Sequence, residues 1–216
     1  MTSDADERLV LAIESAVAGG SISLLRGTAD VDSISGGPGA SRAEELLPSI
    51  AAILERNGID KRDLDLLAVS VGPGSYTGIR IGISTALGLK KALGINCAGV
   101  SVLEAMAQNY GSAGRLVTAV PVGKRDICLQ QFEYGETAIP VGGPRMVSED
   151  VFSDLISLAN DAQKIIYSEL IERLGISAGA GVISTGPNLA YPVGLLALTK
   201  DRTDRIEPIF APARER

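Results

Sequence analysis

Two short groups of residues in this sequence combine a carboxylate or hydroxyl with small neighbours in a pattern that suits phosphate handling. Glu14 and Ser15 end the first apolar segment, and Gly74 with Ser75 ends a later one. A strand that leads through a glycine turn into a helix presents free backbone amides, which attract anions. The pattern makes Glu14, Ser15, Gly74 and Ser75 the candidates for a phosphate or nucleotide site.

The glycine spacing departs from both common phosphate-binding motifs. A P-loop needs Gly-Lys-Ser/Thr at its end, and no lysine lies between Lys61 and Lys90. A dinucleotide fingerprint needs Gly-x-Gly-x-x-Gly, and Gly72, Gly74 and Gly78 are spaced one residue too wide. A structural turn is accordingly favoured over anion binding at this position.

The residue types that most enzymes of other classes need are missing. The chain has no histidine, which excludes a Ser-His-Asp triad, a Cys-His pair and a metal site with imidazole ligands. Cys97 and Cys128 stand alone, so both are predicted to be buried rather than reactive. We expect no catalytic residue, no bound metal and no cofactor.

Composition places limits on the partners. A net charge of -6 argues against a protein that grips nucleic acid alone through a broad basic face. Contact with RNA is expected to be local, at one of three basic groups: Lys90 and Lys91; Lys124 and Arg125; or Arg202, Arg205, Arg214 and Arg216. No apolar run of about 18 residues occurs, so we expect a cytoplasmic protein with no membrane contact.

Apolar periodicity and turn signals predict an alternation of strands and helices. A capping-box pattern formed by Ser41 and Glu44 opens a helix that contains Pro48, where a kink is expected. The predicted strands are 9–13, 21–25, 64–71, a hairpin over 116–132, 164–167 and 181–185. The predicted helices are 41–56, 75–93, 101–109, 148–160 and 188–199.

The helix over 75–93 is unusually apolar and rich in glycine. Gly78, Gly82 and Ala86 recur every four residues and form a groove, while isoleucine and leucine cover most of the remaining surface. An interior glycine costs about 1 kcal/mol relative to alanine, so this helix needs close tertiary contact. We predict almost no solvent face. The outer side packs either on a second layer of the same domain or on a partner protein.

At this helix the sequence becomes similar to a known family. The run GPGSYTGIRIG, preceded by LDLLAVSV and followed by ALGLKKALGINCAGVSVLEAMA, resembles the signature region of the TsaB (YeaZ) proteins. LVLAIES with SISLL resembles their opening hairpin, SRAEELLP their first helix and EPIFAPAR their closing tail. The similarity covers residues 9–108, and between about 110 and 205 it is one of spacing and pattern only.

The resemblance implies an α/β fold of two lobes, similar to actin, Hsp70 and the sugar kinases (the ASKHA fold). The first lobe would span residues 1–100 and the second residues 101–216, with the C-terminal segment packing back on the first. The sequence departs from the family pattern in three places. The Asp and Thr that are common after the first strand are Glu14 and Ser15, the histidine common before the first helix is Ala40, and the hairpin at residues 121–128 has a different sequence.

The resemblance also implies a function. The chain would be the non-catalytic partner of a TsaD-like subunit, which transfers threonylcarbamoyl to adenosine 37 of tRNA. A TsaE-like ATPase would join the pair, a homodimer would form when TsaD is absent, and tRNA would be met only through the complex. The partner-binding residues would be Leu46, Leu47, Ile50, Leu54, Thr77, Arg80, Ile81, Ser84, Thr85 and Gly88.

Two alternatives stay open from the residues. The first is a small ATP-dependent kinase or ATPase of the same fold, in which Glu14 and the Gly74-Ser75 turn would handle phosphate. The second is a metallopeptidase, which would lack its histidine ligands in this chain.

Overall fold

The chain forms two five-stranded sheets in the part that the structure describes, which is residues 7–37, 42–158, 162–177, 181–200 and 206–210 of a computed structural model. The first sheet has the order β3-β2-β1-β4-β5 and the second the order β10-β9-β6-β7-β8. The strands of the first sheet are β1 (Leu9–Glu14), β2 (Ser21–Arg26), β3 (Ala29–Ser35), β4 (Leu66–Ser70) and β5 (Asn96–Val100). The strands of the second are β6 (Gly114–Val122), β7 (Asp126–Tyr134), β8 (Ala138–Ser148), β9 (Gln163–Tyr167) and β10 (Val182–Thr185).

The helices connect these strands and cover the sheets. They are α1 (Arg42–Arg56), α2 (Tyr76–Leu93), α3 (Val102–Tyr110), α4 (Glu149–Leu158), α5 (Ser168–Leu174) and α6 (Ala190–Thr199), and a short 3-10 turn spans Lys61–Asp63.

Strands β1 and β4 are the centre of the first lobe, and every residue in both is buried. They pair in parallel, and successive side chains point to opposite faces of the sheet. Leu11 and Leu67 belong to the apolar cluster that includes α1 side chains, whereas Val10 and Leu66 belong to the cluster formed with α6. The first lobe therefore has three layers, which explains why its central strands read as uninterrupted apolar runs.

The two lobes share a core. Helix α3 packs on one face of the second sheet, and α4 and α5 pack on the other. The cluster around α3 also contains Ala16, Val17, Ile79 and Leu189 from the first lobe. The hydroxyl of Tyr167 donates a hydrogen bond of 3.0 Å to the carbonyl of Ala18 across the junction. The turn that follows β1 is thus fixed by residues of both lobes.

The predicted two-lobed α/β fold is confirmed, and so are most of the predicted helices and strands. The structure adds four elements that sequence patterns did not predict: β3, β5, β8 and α5. Ser75 caps α2, since its hydroxyl accepts a hydrogen bond of 3.2 Å from the amide of Gly78. The proposed cap of α1, Ser41, lies outside the described residues.

Candidate partner-binding face and the turn after β1

Helix α2 lies directly on the turn that follows β1, and its glycines make that approach possible. The Ser15 hydroxyl donates a hydrogen bond of 2.8 Å to the carbonyl of Gly78. A Cβ at Gly78 would overlap the carbonyl oxygen of Ser15, and one at Gly82 would overlap the Ser15 hydroxyl. The glycine groove of this helix therefore packs on the protein's own first lobe.

The opposite side of α2 is exposed, so the prediction that this helix has almost no solvent face is wrong. Threonine, arginine, serine, glycine and lysine recur there at spacings of three and four residues, and those residue types keep one side of the helix open to water. The exposed positions are Tyr76, Thr77, Arg80, Ser84, Leu87, Gly88, Lys91 and Ala92.

The ten predicted partner-binding residues fall into two groups. On α2, Thr77, Arg80, Ser84 and Gly88 are exposed, and Ile81 and Thr85 are half-buried. On α1, Leu47 is 56% exposed. The other three α1 residues are buried in the core of the first lobe, where they hold the helix on the sheet and are not open to a partner: Leu46, Ile50 and Leu54.

Three exposed residues outside the predicted set lie on the same surface: Tyr76, Leu87 and Phe210. We refer to these three, together with the five exposed predicted residues Leu47, Thr77, Arg80, Ser84 and Gly88, as the docking face. The rings of Tyr76 and Phe210 lie 5.0 Å apart between centroids, and both are about half exposed, at 58% and 45%. The guanidinium of Arg80 lies 5.3 Å from the Tyr76 ring centroid. The result is an exposed cation-aromatic ladder, a combination enriched at the energetic centres of protein interfaces.

Phe210 reaches Tyr76 because the segment 206–210 crosses the carboxyl ends of β4 and β5. The amide of Ile209 donates a hydrogen bond of 2.7 Å to the carbonyl of Val71. A Cβ at Gly72 would overlap the Ile209 carbonyl, and one at Gly99 would lie 3.1 Å from the Ile206 side chain. The signature glycine Gly72 thus makes room for the C-terminal segment.

A shallow cavity of about 470 Å³ runs along the exposed side of α2. Its lining residues are Tyr76, Thr77, Arg80, Ile81, Ser84 and Thr85. Five of these six were predicted to bind a partner. Sequence reasoning missed the aromatic members of the docking face, although the tyrosine of the GPGSY run and the phenylalanine of the EPIF tail were both visible signals.

Gly88 has no structural reason among the described residues. It lies in the interior of α2, and a Cβ built on it would meet no atom of those residues within 4 Å. Gly78 and Gly82 on the same helix are explained by Ser15, so Gly88 is the helical glycine of α2 that faces open space. Glycine at such a position costs helix stability with no compensating contact in the isolated chain.

The four residues predicted to handle phosphate are used in internal hydrogen bonds and close packing. Glu14 is only 2% exposed, and its Oε1 accepts hydrogen bonds from the amides of Ala16 at 2.6 Å and Val17 at 2.9 Å. Ser15 is buried against Gly78, as described above. The structure does bring Glu14 and Ser15 close to the Gly74-Ser75 turn, because the amide of Ser75 donates a hydrogen bond of 2.7 Å to the Ala16 carbonyl.

The other sequence predictions concern the two cysteines, a metal site, a membrane-spanning helix and the basic groups. Cys97 and Cys128 are free and buried, and burial raises the pKa of each thiol to about 12, so both are protonated at neutral pH. Among the described residues no three histidine, cysteine or acidic side chains are grouped to hold a metal, and no helix there is long and apolar enough to cross a membrane. Of the basic groups, Lys91, Lys124 and Arg125 are exposed. The C-terminal arginines, from 202 to 216, lie outside the described residues.

Comparison with known proteins gives a match over more than half of the chain. Residues 39–176 match the family model described as TsaD, tRNA N6-adenosine threonylcarbamoyltransferase. A curated relative from Escherichia coli K12, the tRNA threonylcarbamoyladenosine biosynthesis protein TsaB, is 33% identical over 99 residues. That match covers 44% of this chain and 43% of the relative, so the chain spans less than half of the relative's length.

Solved structures match over nearly the whole chain. An uncharacterized protein with similarity to peptidase YeaZ from Pseudomonas aeruginosa is 20% identical, with a TM-score of 0.72 over 95% of this chain and 100% of that chain. YeaZ from Pseudomonas aeruginosa is 21% identical, with a TM-score of 0.65 over 89% of this chain and 90% of that chain. At these identities the two structures establish the shared fold.

Proposed function

This chain belongs to the TsaB (YeaZ) branch of the tRNA N6-adenosine threonylcarbamoyltransferase (TsaD) family, and we propose that it acts there as a non-catalytic scaffold subunit. Its role is to bind a TsaD-like catalytic subunit through the docking face and to hold that subunit in its active shape. The TsaD-like subunit then transfers threonylcarbamoyl to tRNA.

The observation that carries this proposal is Gly88. A glycine in the middle of an exposed helical surface, with open space where its Cβ would be, destabilises the free chain. The same glycine allows the backbone of a second helix to approach α2 closely. Its neighbours Ser84 and Thr77 on the same side are also small, so a partner helix can lie along this face at short distance.

Charge and aromatic content support the same surface. Helix α2 contains no acidic residue, and its exposed side carries Arg80 and Lys91 in a chain of net charge -6. A partner helix with acidic side chains would complement it. The Tyr76 and Phe210 rings supply the large, rigid apolar area that binding hot spots use.

The non-catalytic part of the proposal follows from the chemistry that the chain offers. The sequence contains no histidine, and Glu14 and Ser15 are engaged in internal hydrogen bonds. We further propose that a TsaE-like ATPase joins the pair, that tRNA is met only through the complex, and that in the absence of TsaD the same face pairs with a second copy. The exposed acidic residues Glu44 and Glu55 of α1 would then face Arg80 and Lys91 of the other copy.

The docking face is tested by measuring the affinity of the full chain for the TsaD-like subunit of the same organism. Ser84→Glu places a charge at the centre of the face, and Phe210→Ala removes one ring of the ladder. We expect each to weaken binding by roughly tenfold or more, which corresponds to about 1.4 kcal/mol, with little change in the melting temperature. Ile81 is a poorer choice because its side chain packs partly against the core.

Val151→Glu is the matched control, since Val151 is an exposed apolar residue of α4 on the other lobe. It should bind the TsaD-like subunit as the wild type does. Equal affinity of Ser84→Glu and wild type would show that the docking face is wrong. If the wild-type chain does not bind the TsaD-like subunit, the proposed scaffold role is wrong.

A further inference from the structure

The turn that follows β1 has the hydrogen-bond geometry of an anion receptor. Two successive backbone amides, of Ala16 and Val17, converge on one oxygen of Glu14 at 2.6 and 2.9 Å. The hydroxyl of Ser70 donates to the same oxygen at 3.3 Å. Consecutive amides that point at one centre form a concave site that binds carboxylates and phosphates.

The position of this turn in the sheet is the one at which open α/β sheets bind ligands. Strands β1 and β4 are parallel neighbours, so Glu14 and Ser70 both lie at the carboxyl edge. From β1 the chain turns back into β2 as an antiparallel hairpin, whereas from β4 it crosses through α2 to the parallel strand β5. Ligands of open α/β sheets bind outside the carboxyl ends of such parallel strands.

In this chain the receptor is already filled by a group of the protein itself. The Glu14 side chain is buried between the turn and β4. A cavity of about 180 Å³ lies next to it, lined by Glu14, Ser15, Gly19, Gly20, Ser21, Ile22, Ile34, Ser35, Gly36, Gly37, Glu45, Leu46 and Ser49. Among the lining residues that the structure describes none is lysine or arginine and two are acidic, which disfavours a second anion beside them.

We propose that the turn after β1 is an oxyanion site that the protein occupies with its own Glu14 carboxylate in place of an external phosphate or carboxylate. The Glu14 side chain accepts the hydrogen bonds of the Ala16 and Val17 amides in the folded chain. The same turn supports α2 through the Ala16 carbonyl and the second lobe through the Ala18 carbonyl. The two lobes and the docking helix are therefore held in one arrangement without a bound ligand.

Chemical rescue tests this proposal directly. Glu14→Ala removes the oxygen that accepts the hydrogen bonds of the Ala16 and Val17 amides, and we expect its melting temperature to fall by roughly 5 °C or more. Sodium formate, added in exchange for sodium chloride at constant ionic strength, should restore roughly half of that loss when its concentration is well above the dissociation constant. Glu14→Gln keeps an acceptor oxygen in place, so it and the wild type should show no specific response to formate.

Failure of formate to stabilise Glu14→Ala more than chloride does would overturn the proposal. A second measurement needs no variant to fold: the backbone amide NMR signals of Ala16 and Val17 in the wild type, titrated with inorganic phosphate and with ATP. We expect these signals not to move, and saturable shifts at both residues would contradict the proposal. Neither experiment contains a partner protein, so their failure leaves the scaffold role standing.

Discussion

At the scale of single residues, Asp32 shows how a side chain joins two elements of the first lobe. Its carboxylate on β3 accepts two hydrogen bonds of 2.7 Å from the Arg56 guanidinium at the end of α1, and one of 2.7 Å from Asn57. These hydrogen bonds hold the pKa of the Asp32 carboxyl below its ordinary value, and those from Arg56 have the largest effect. The neighbouring Asp30 has its pKa raised by burial and by the charge of Asp32.

These opposite pKa shifts predict opposite pH dependences for two matched variants. A lowered pKa in the folded state gives stability that is present at neutral pH and is lost as the pH falls below about 4. Asp32→Asn should therefore melt below the wild type at pH 7, and the difference should vanish at low pH. For Asp30 the sign reverses, so Asp30→Asn should melt above the wild type at pH 7, with the gain again lost in acid.

Melting curves by circular dichroism between pH 3 and pH 8 measure both variants under the same conditions. Our explanation of the Asp30 and Asp32 pKa shifts is wrong if the melting temperature of Asp32→Asn lies below that of the wild type by the same amount at every pH. It is also wrong if the two variants shift in the same direction at pH 7.

At the scale of elements, α2 packs on the turn after β1 with one side and is exposed on the other, and its glycines differ between these two sides. Gly78 faces the turn after β1, where a Cβ would overlap the Ser15 carbonyl, whereas Gly88 faces open space. Gly78→Ala should lower the free energy of unfolding by about 1–3 kcal/mol, as overpacking does. Gly88→Ala should raise it by about 1 kcal/mol, because the helix gains propensity and loses no contact.

Urea denaturation of the two alanine variants gives these free energies directly. Destabilisation by Gly88→Ala would show that this glycine is needed inside the chain. In that case Gly88 would no longer support the docking face.

Sequence patterns predicted the buried elements well and the edge elements poorly. Strands β1, β2 and β4 and helix α2 are strongly apolar or have clear capping residues, so their sequence patterns predicted them. Strand β3 has mostly exposed, polar residues and lies at a sheet edge, and β8 contains Pro140, Pro144 and adjacent glycines, which sequence rules associate with loops. Their strand conformation depends on pairing with β2 and β7, which no local pattern reveals.

The candidate site was predicted in part for the same reason. The resemblance placed six partner-binding residues on α2 between Thr77 and Gly88, and four of them are exposed. Spacing alone did not decide which side of α1 faces its own sheet, so Leu46, Ile50 and Leu54 were assigned to the surface although they fill the core. The contact between Tyr76 and Phe210 joins residues far apart in the sequence and depends on the path of the C-terminal segment.

At the scale of the whole molecule, the lobes are joined by apolar packing. Ala16, Val17, Ile79 and Leu189 of the first lobe lie in one cluster with side chains of α3 and the second sheet. The ion pair of 2.7 Å between Glu104 of α3 and Lys200 adds a contact at the surface of this junction. A frame of this kind presents a fixed docking face, which suits a subunit that positions another protein.

The most direct test of the central claim is the rate of threonylcarbamoyl transfer to tRNA by the TsaD-like subunit of the same organism, supplied with threonylcarbamoyl-adenylate, with and without this chain. We predict that the modified nucleoside, measured by mass spectrometry, forms at a substantial rate only when the wild-type chain is present. Ser84→Glu should fail to support it and Val151→Glu should support it fully. Modification at the same rate without the chain would contradict the account.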